Sequence, residues 1–597
     1  MPVSPLLNST GVLTLTVTAG GSALANTIEI ASVEIVKKIN RVPSAVISFI
    51  DGDMPKGTFP ISDSATLVPG AAIVISAGYA SKETAIFTGI VIKHSVVIGG
   101  DNHARLIVEC RDKSIGMTVG RKNANYVNKT DSDIMTALIG NCAGLTATVT
   151  STTTTYKELV QYYCSDWDFM LARAEANGML VTAEAGTVTV APPALSGTAA
   201  LLVTYGTDLV DFDAEIDSRT QLSSVTGVTW DLASQAIVTQ QATPNDLTSQ
   251  GNLTAATLAQ VINLPTYNIQ SPAPLDSGTL KSWASGQQLK AGLSRIRGSM
   301  SFQGNALALP GTLIAVAGVG ARFSGNVLIT GVTHKLSEGN WYTKVEFGAP
   351  SYWSAENDDV SAPLASAITP GISGLHLGKV MKLDADPEGQ YKIQVSIPVL
   401  QAQTDGVWAR LATFYASSGF GTFFIPEIGD EVVLGYFNND PSHPVILGSL
   451  YSSTRKPAYE LTADNFTKAF VTKSLMKMIF DDDKKIITLV TPGNNTIVIS
   501  DDGKSILLQD QNSNKVELNP SGITLDSPKD IVINAKGGIN ITAVNNIQIK
   551  SSGADIQAQA LNIQHSANVG FTAKGAATAE LSASGQTTIK GAMVMIN

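Results

Sequence analysis

The sequence predicts a mainly β chain that ends in an intertwined triple-stranded β-helix, a homotrimer. Three features point that way. Apolar residues recur on an eight-residue step between Ile523 and Ile549, as Ile523/Leu525, Ile531/Ile533, Ile539/Ile541 and Ile547/Ile549. The residue between the members of a pair is usually polar or small, the alternation of a strand with one buried face. Turn formers separate the pairs: Asn519-Pro520-Ser521-Gly522, Ser527-Pro528-Lys529-Asp530, Lys536-Gly537-Gly538 and Val544-Asn545-Asn546. A unit of one strand and one corner cannot cover its own apolar face, so such units stack. Finally, eight residues supply only one face per layer, and three chains with one face each close a prism without a free side edge. The needle spans residues 484–597 and the pair residues form its core. With roughly fourteen strands per chain at about 4.8 Å per layer, it is a rod of about 65–70 Å. On pattern alone, the alternative is a single-chain solenoid with irregular coils.

At 597 residues there is room for several domains. A net charge of −10 argues against nucleic acid or an anionic membrane surface as a partner. Charged residues make up 15% of the chain, against about a quarter in ordinary globular proteins. With 44% hydrophobic residues, this balance implies surfaces covered by copies or partners. Cys110, Cys142 and Cys164 are odd in number and widely spaced, the pattern of reduced thiols in a protein that folds in a cytoplasm. Met1-Pro2-Val3-Ser4-Pro5 lacks the basic start and apolar core of a signal peptide. The longest apolar run, Leu313 to Ala321, is too short to span a bilayer.

In chain order, residues 1–354 predict a platform of two β-barrels with helical insertions. Thr14–Thr18, Ile28–Val36, Val46–Phe49, Ile73–Ala77, Ile86–Val97 and Arg105–Cys110 alternate or are β-branched, with turn residues between them. Asp131 or Ser132 caps a helix running to about Cys142. Ser165-Asp166-Trp167-Asp168 opens the clearest helix as a capping box with Asp in the usual Glu place, and Asn177-Gly178 closes it. Strands resume at Met179–Ala183, Thr187–Ala191, Leu222–Thr239 and Gly311–Phe347, with helical spacing over Leu280–Ile296. Residues 355–374, rich in Ala, Ser, Pro and Asp, form a linker. Six strands in residues 375–451, among them Thr422–Ile425, predict a closed OB-type barrel. A neck, 452–483, leads to the needle.

Several runs in this barrel resemble the OB segment of the VgrG family, the spikes of type VI secretion systems and related contractile injection machines. They are Val407-Trp408-Ala409-Arg410, Phe423-Phe424-Ile425-Pro426-Glu427-Ile428-Gly429-Asp430-Glu431-Val432, Asp440-Pro441 and Pro444-Val445-Ile446-Leu447-Gly448. The run Val160 to Phe169, with Arg173-Ala174-Glu175 and Asn177-Gly178, is similar to the hub helix of that family and of phage late-control tail proteins. The resemblance spans the chain in the family's domain order. It implies a non-enzymatic homotrimer whose platform meets the inner tube ring and baseplate proteins. It also implies a collar, a needle driven through a target membrane, a PAAR-type tip protein at the C-terminus, and effector cargo. Assembly in the bacterial cytoplasm and delivery outside or into a target cell on firing follow from the same resemblance. A phage tail hub spike is the nearest variant. The needle departs from the family by using Ile-x-Ile in place of Val-Gly repeats, and its register slips after Ile549, with Ile556 next. About thirty residues between barrel and needle leave no room for a lysozyme domain, and no toxin follows the needle.

No cofactor or metal is expected. His94, His103, His334, His376, His443 and His565 lie far apart. His565 falls in the needle, where threefold symmetry brings three copies to the axis or leaves each facing solvent. Asp481-Asp482-Asp483 reads as a solvated turn, since it lacks the ligand spacing of a calcium loop. Gly503-Lys504-Ser505 lacks the upstream glycine of a phosphate loop and reads as a turn. Asp166 and Asp168 complement a helix start. At the end of the chain, Met593, Val594, Met595 and Ile596 form an uncharged apolar run, the expected seat of a tip protein. The remote rival, an adhesin or polysaccharide-active β-helix, should carry paired carboxylates and aromatics on its helix face. After Phe480 the needle has Phe571 as its only aromatic.

Overall fold

The structure, a computed structural model, describes residues 2–8, 11–100, 104–243, 250–400 and 406–596. His103 and Asn597 lie outside the described residues. The chain divides into two compact units, Met1–Leu450 and Tyr451–Asn597.

In the first unit, the strands Ile30–Lys38 and Ser44–Ile50 alternate as their sequence predicts, with Val33, Ile35, Ala45, Ile47 and Phe49 buried. They sit mid-way in a thirteen-stranded sheet. The expected pair of barrels takes the form of two lobes of this one sheet, each around its own core. Ile35, Ile47, Phe49, Ile73, Phe87 and Leu106 fill the first, and Met300, Phe302, Ile314, Ile329 and Phe347 fill the second. The seam is the antiparallel pairing of Gly325–Ser337 with Ile30–Lys38, in which His334 stands opposite Ile35. Its ring is fully buried, with Nδ1 3.0 Å from Thr343 Oγ1 and 3.4 Å from Trp341 Nε1. Burial, aided by the Lys37 charge, pushes the His334 pKa down to about 3, so the imidazole is neutral.

The helix α1 (Asp131–Gly140) is capped one residue earlier than expected. Thr130 Oγ1 accepts from the Asp133 amide, and Asp133 Oδ2 accepts from the Thr130 amide, a complete capping box. Asp131 is instead buried, holding Arg173 Nε at 2.6 Å and Asn177 Nδ2 at 2.7 Å. The helix α2 (Asp166–Ala176) starts at Ser165 as the sequence predicts, and Gly178 turns the chain out at φ +65°. A shorter helix, α3 (Ala255–Ile262), precedes α4 (Ser277–Leu293), which packs against α2 through Gly286. A Cβ at Gly286 would stand 2.7 Å from the Glu175 carbonyl oxygen.

The stretch expected as a linker is fastened along its length. Just ahead of it, Glu175 receives Lys290 Nζ at 2.8 Å and the Ser354 amide at 2.8 Å. Arg121 donates to the carbonyls of Asp359 and Ser361. At its far end, Asn438 donates to Ser366 Oγ, and the Ile372 amide to the Asn439 carbonyl. The collar then closes as a five-stranded barrel around Val380, Val395, Ala409, Val432, Leu434 and Ile446. Thr422–Ile425, expected as a strand, lies instead in a long loop. Gly421 at φ +141° and Pro426, which has no amide proton, deny it a ladder.

The second unit begins with a seven-stranded meander in which each strand pairs antiparallel with the next: Thr467–Val471, Lys477–Asp481, Ile486–Val490, Thr496–Ser500, Ser505–Gln509, Lys515–Asn519 and Gly522–Asp526. This sheet starts at Thr467, ahead of the Lys484 where the repeat places the needle. Among the described residues after Asp526, no strand pairs within the chain.

Candidate functional site: an uncovered needle face

Register lines the meander's apolar residues into two files. Phe470, Met478, Leu489, Ile497, Leu508, Val516 and Leu525 are successive cross-strand partners. So are Phe480, Ile487, Ile499, Ile506, Leu518 and Ile523. Members of the two files are two residues apart on the six strands from Lys477–Asp481 onward, so both lie on the same face. That face borders a groove of about 730 Å³ lined by Leu489, Ile497, Leu508, Val516 and Leu525. Among the described residues of this unit, none covers it: Ile499 and Leu508 are 44% and 41% exposed. The expected core pairs further along are more open still, from 53% at Ile547 to 73% at Ile523.

The upstream pairs escape the eight-residue pattern because their steps are nine or ten residues, from Met478/Phe480 through Ile487/Leu489, Ile497/Ile499 and Ile506/Leu508 to Val516/Leu518. Longer turns absorb the extra residues, and side chains tie these turns down. Asp510 Oδ1 accepts from the amides of Asn512 and Asn514, and Ser500 Oγ from the amide of Gly503. A search for alternation with a variable step finds these pairs.

The family whose model is described as the Alg8 N-terminal domain matches residues 9–338, more than half of the 597. The chain belongs to the Alg8 N-terminal domain family. This Alg8-type platform precedes a collar, residues 376–451, matched by the type VI secretion system/phage-baseplate injector OB domain. Among curated relatives, a type VI secretion system spike protein VgrG5 of Pseudomonas aeruginosa is 31% identical over 94 residues, covering 15% of this chain and 12% of its own. An actin cross-linking toxin VgrG1 of Vibrio cholerae is 41% identical over 54 residues, covering 9% of this chain and 5% of its own. The matched stretches thus span only a small part of these relatives. The Alg8-family chain is also similar to a solved 43 kDa tail protein of prophage MuSo2 from Shewanella oneidensis, at 12% identity and a TM-score of 0.44. That match covers 57% of this chain and 99% of the other. Over these stretches the chain is similar to VgrG spike proteins, and its collar to the injector OB domain.

The other candidate residues are accounted for locally. Ser165 Oγ accepts from the Asp168 amide at 3.1 Å and donates to Asp168 Oδ2, and Asp166 takes Gln161 Nε2 at 3.0 Å and the Lys122 ammonium, so both carboxylates are occupied by local partners at the helix start. Asp481 Oδ1 accepts from the amides of Asp483 and Lys484, and Asp482 pairs with Lys468 at 2.6 Å. Lys504, at φ +46°, sits in the turn between two meander strands. His565 stacks on Phe571, with ring centroids 6.0 Å apart. Among the described residues, no group of three His, Cys, Asp or Glu side chains converges to hold a metal. In the apolar run, Met593 and Ile596 are 80% and 86% exposed. The buried ion pairs of the platform, Asp131–Arg173 and Glu175–Lys290, have no sequence signature, because their partners lie far apart in the chain.

Proposed function

We propose that three copies of this chain form the central spike of a contractile injection machine. The injector OB domain, followed in sequence by a β-needle with an apolar face its own chain does not cover, carries this reading. Two further copies cover that face most economically, because six of the seven strands offer the same two-residue apolar stripe and three identical faces close a prism. The needle core then includes Ile523, Leu525, Ile531, Ile533, Ile539, Ile541, Ile547 and Ile549, together with the upstream pairs. The platform meets the inner tube ring and baseplate proteins. A PAAR-type tip protein seats on Met593, Val594, Met595 and Ile596, and effector cargo rides with it. No nucleic acid, cofactor or catalytic step enters this role. The spike assembles in the bacterial cytoplasm and crosses a target membrane on firing; among the described residues, no helix is long and apolar enough to span one. A phage tail hub spike differs in the machine and not in these mechanics. Light scattering of the purified chain tests the trimer: a mass near three times 62.5 kDa is expected, and a mass near 62.5 kDa overturns it.

A further inference from the structure

The platform carries an open sheet edge beside an aromatic groove. The strand Tyr267–Ser271 is an outer member of a three-stranded sheet. Among the described residues it pairs only with Val225–Asp231, in parallel, with Val225 opposite Tyr267 and Gly227 opposite Ile269. The Tyr267 amide donates to the Ser224 carbonyl at 2.9 Å. Backbone polar groups alternate sides along a strand, so Tyr267, Ile269 and Ser271 serve the sheet, while Asn268 and Gln270 turn their N–H and C=O groups outward. Both residues are exposed. Sheet edges are ordinarily blunted by a charge, a proline or a bulge. This one has none of them between Pro265 and Pro272.

Beside the edge lies a groove of about 850 Å³, bounded by the strand, by α4, by the end of α2 and by residues 351–356. Trp283 and Trp353 line it. The Trp353 indole N–H is already spent on Gln287 Oε1 at 2.6 Å, and Lys290 Nζ lies 5.1 Å from the ring centroid, so the ring is fixed before anything docks. The exposed rings of Tyr267 and Tyr352 extend the same lining. Glu356 also lines the groove; it is exposed, accepts from the Trp353 amide at 3.4 Å, and forms no ion pair among the described residues. Asp358 and Asp359 follow it, and no Lys or Arg stands between Lys344 and Lys379, so this wall is acidic.

We propose that the edge takes up an extended peptide carrying a large apolar residue and a neighbouring Lys or Arg. Its backbone adds as a fourth strand on Asn268 and Gln270, its apolar side chain enters the groove against Trp283 and Trp353, and its cation meets Glu356. Main-chain bonds then supply affinity, and the aromatic pocket selects the side chain. Every group the site uses belongs to one platform, so it does not depend on the trimer proposed above.

Fluorescence anisotropy on the full chain tests this with a labelled nonapeptide of alternating Val and Lys around a central Trp. The control is the same peptide N-methylated on its central amides, which keeps the side chains and charge but cannot donate to a strand. Saturable binding is expected for the first, and binding weaker by roughly tenfold for the second. Gln270→Pro removes an outward N–H and leaves the pairing with Val225–Asp231 in place, so it should also weaken binding roughly tenfold with the thermal transition unchanged. Glu356→Gln should weaken it roughly threefold at low salt. The peptide comparison uses the unaltered chain and therefore stands even if the proline variant unfolds. Equal binding of the two peptides, undiminished binding by folded Gln270→Pro, or no saturable binding up to about 1 mM overturns the proposal. In the last case, a fall in light-scattering mass on Gln270→Pro assigns the edge to a second copy of the chain.

Discussion

The platform and the needle are both antiparallel β-structure with alternating apolar residues, yet they solve burial in opposite ways. In the platform, the strand Ile30–Lys38 finds Gly325–Ser337 from the far end of the same domain, and the two lobes close over Ile35 and Phe302 completely. In the meander, every strand pairs only with its sequence neighbours, and among the described residues of its unit none covers its apolar face. Non-local pairing lets one chain cover its own core, whereas strictly local pairing builds a ribbon whose coverage must come from elsewhere. Domain stability in the first case belongs to one chain. In the second, on the proposed trimer, it belongs to the assembly and depends on its concentration.

The strongest way to break the comparison is Ile497→Asp combined with Leu508→Asp. Three copies bury six carboxylates in one prism, and buried unpaired charge is costly enough to abolish assembly. Light scattering should show the mass falling to that of one chain, while the thermal transition of the platform stays in place. Loss of that transition as well would mean that the platform also depends on trimerisation. The converse change is Phe302→Ala in the second lobe. It should destabilise the platform by about 3–5 kcal/mol in denaturant unfolding, because a fully buried ring leaves a cavity. The needle trimer should persist.

Acidification separates the two regions more gently. The folded platform holds His334 at about 3, below the unfolded value of 6.5, so the unfolded chain takes up a proton that the folded one refuses. This contribution is complete above pH 6.5 and is lost as pH falls toward 3, at about 1.4 kcal/mol per unit. Between pH 6.5 and 5 the platform should lose about 2 kcal/mol, and His334→Gln should flatten that slope. Needle mass should not change over the same range. An equal acid sensitivity in the variant would show that other groups dominate.

Legibility followed the same division. The Ser165 cap and the early platform strands could be read directly, because each is a local pattern that one stretch of chain writes in full; of the Ile-x-Ile pairs, Ile523/Leu525 lies in a paired strand, and the pairs from Ile531 to Ile549 stay an expectation. The cap of α1 was legible to within one residue; Thr130 takes it because Asp131 is drawn into the buried pair with Arg173. Thr422–Ile425 has strand composition but forms none, since Gly421 at positive φ and Pro426, without an amide proton, bracket it. The upstream needle pairs were hidden by an irregular step.

By itself, the sequence determined the alternation, the order of platform, collar and needle, and the presence of an apolar stripe too regular for one chain to cover. Only the folded chain settles that the two lobes share one sheet, that Lys37 and His334 are buried at its seam, and that Arg121 holds the linker by the carbonyls of Asp359 and Ser361. Periodicity is a property of neighbouring residues and survives in the linear chain. Seams, buried ion pairs and straps join residues far apart, and only the folded path brings them within a few ångströms.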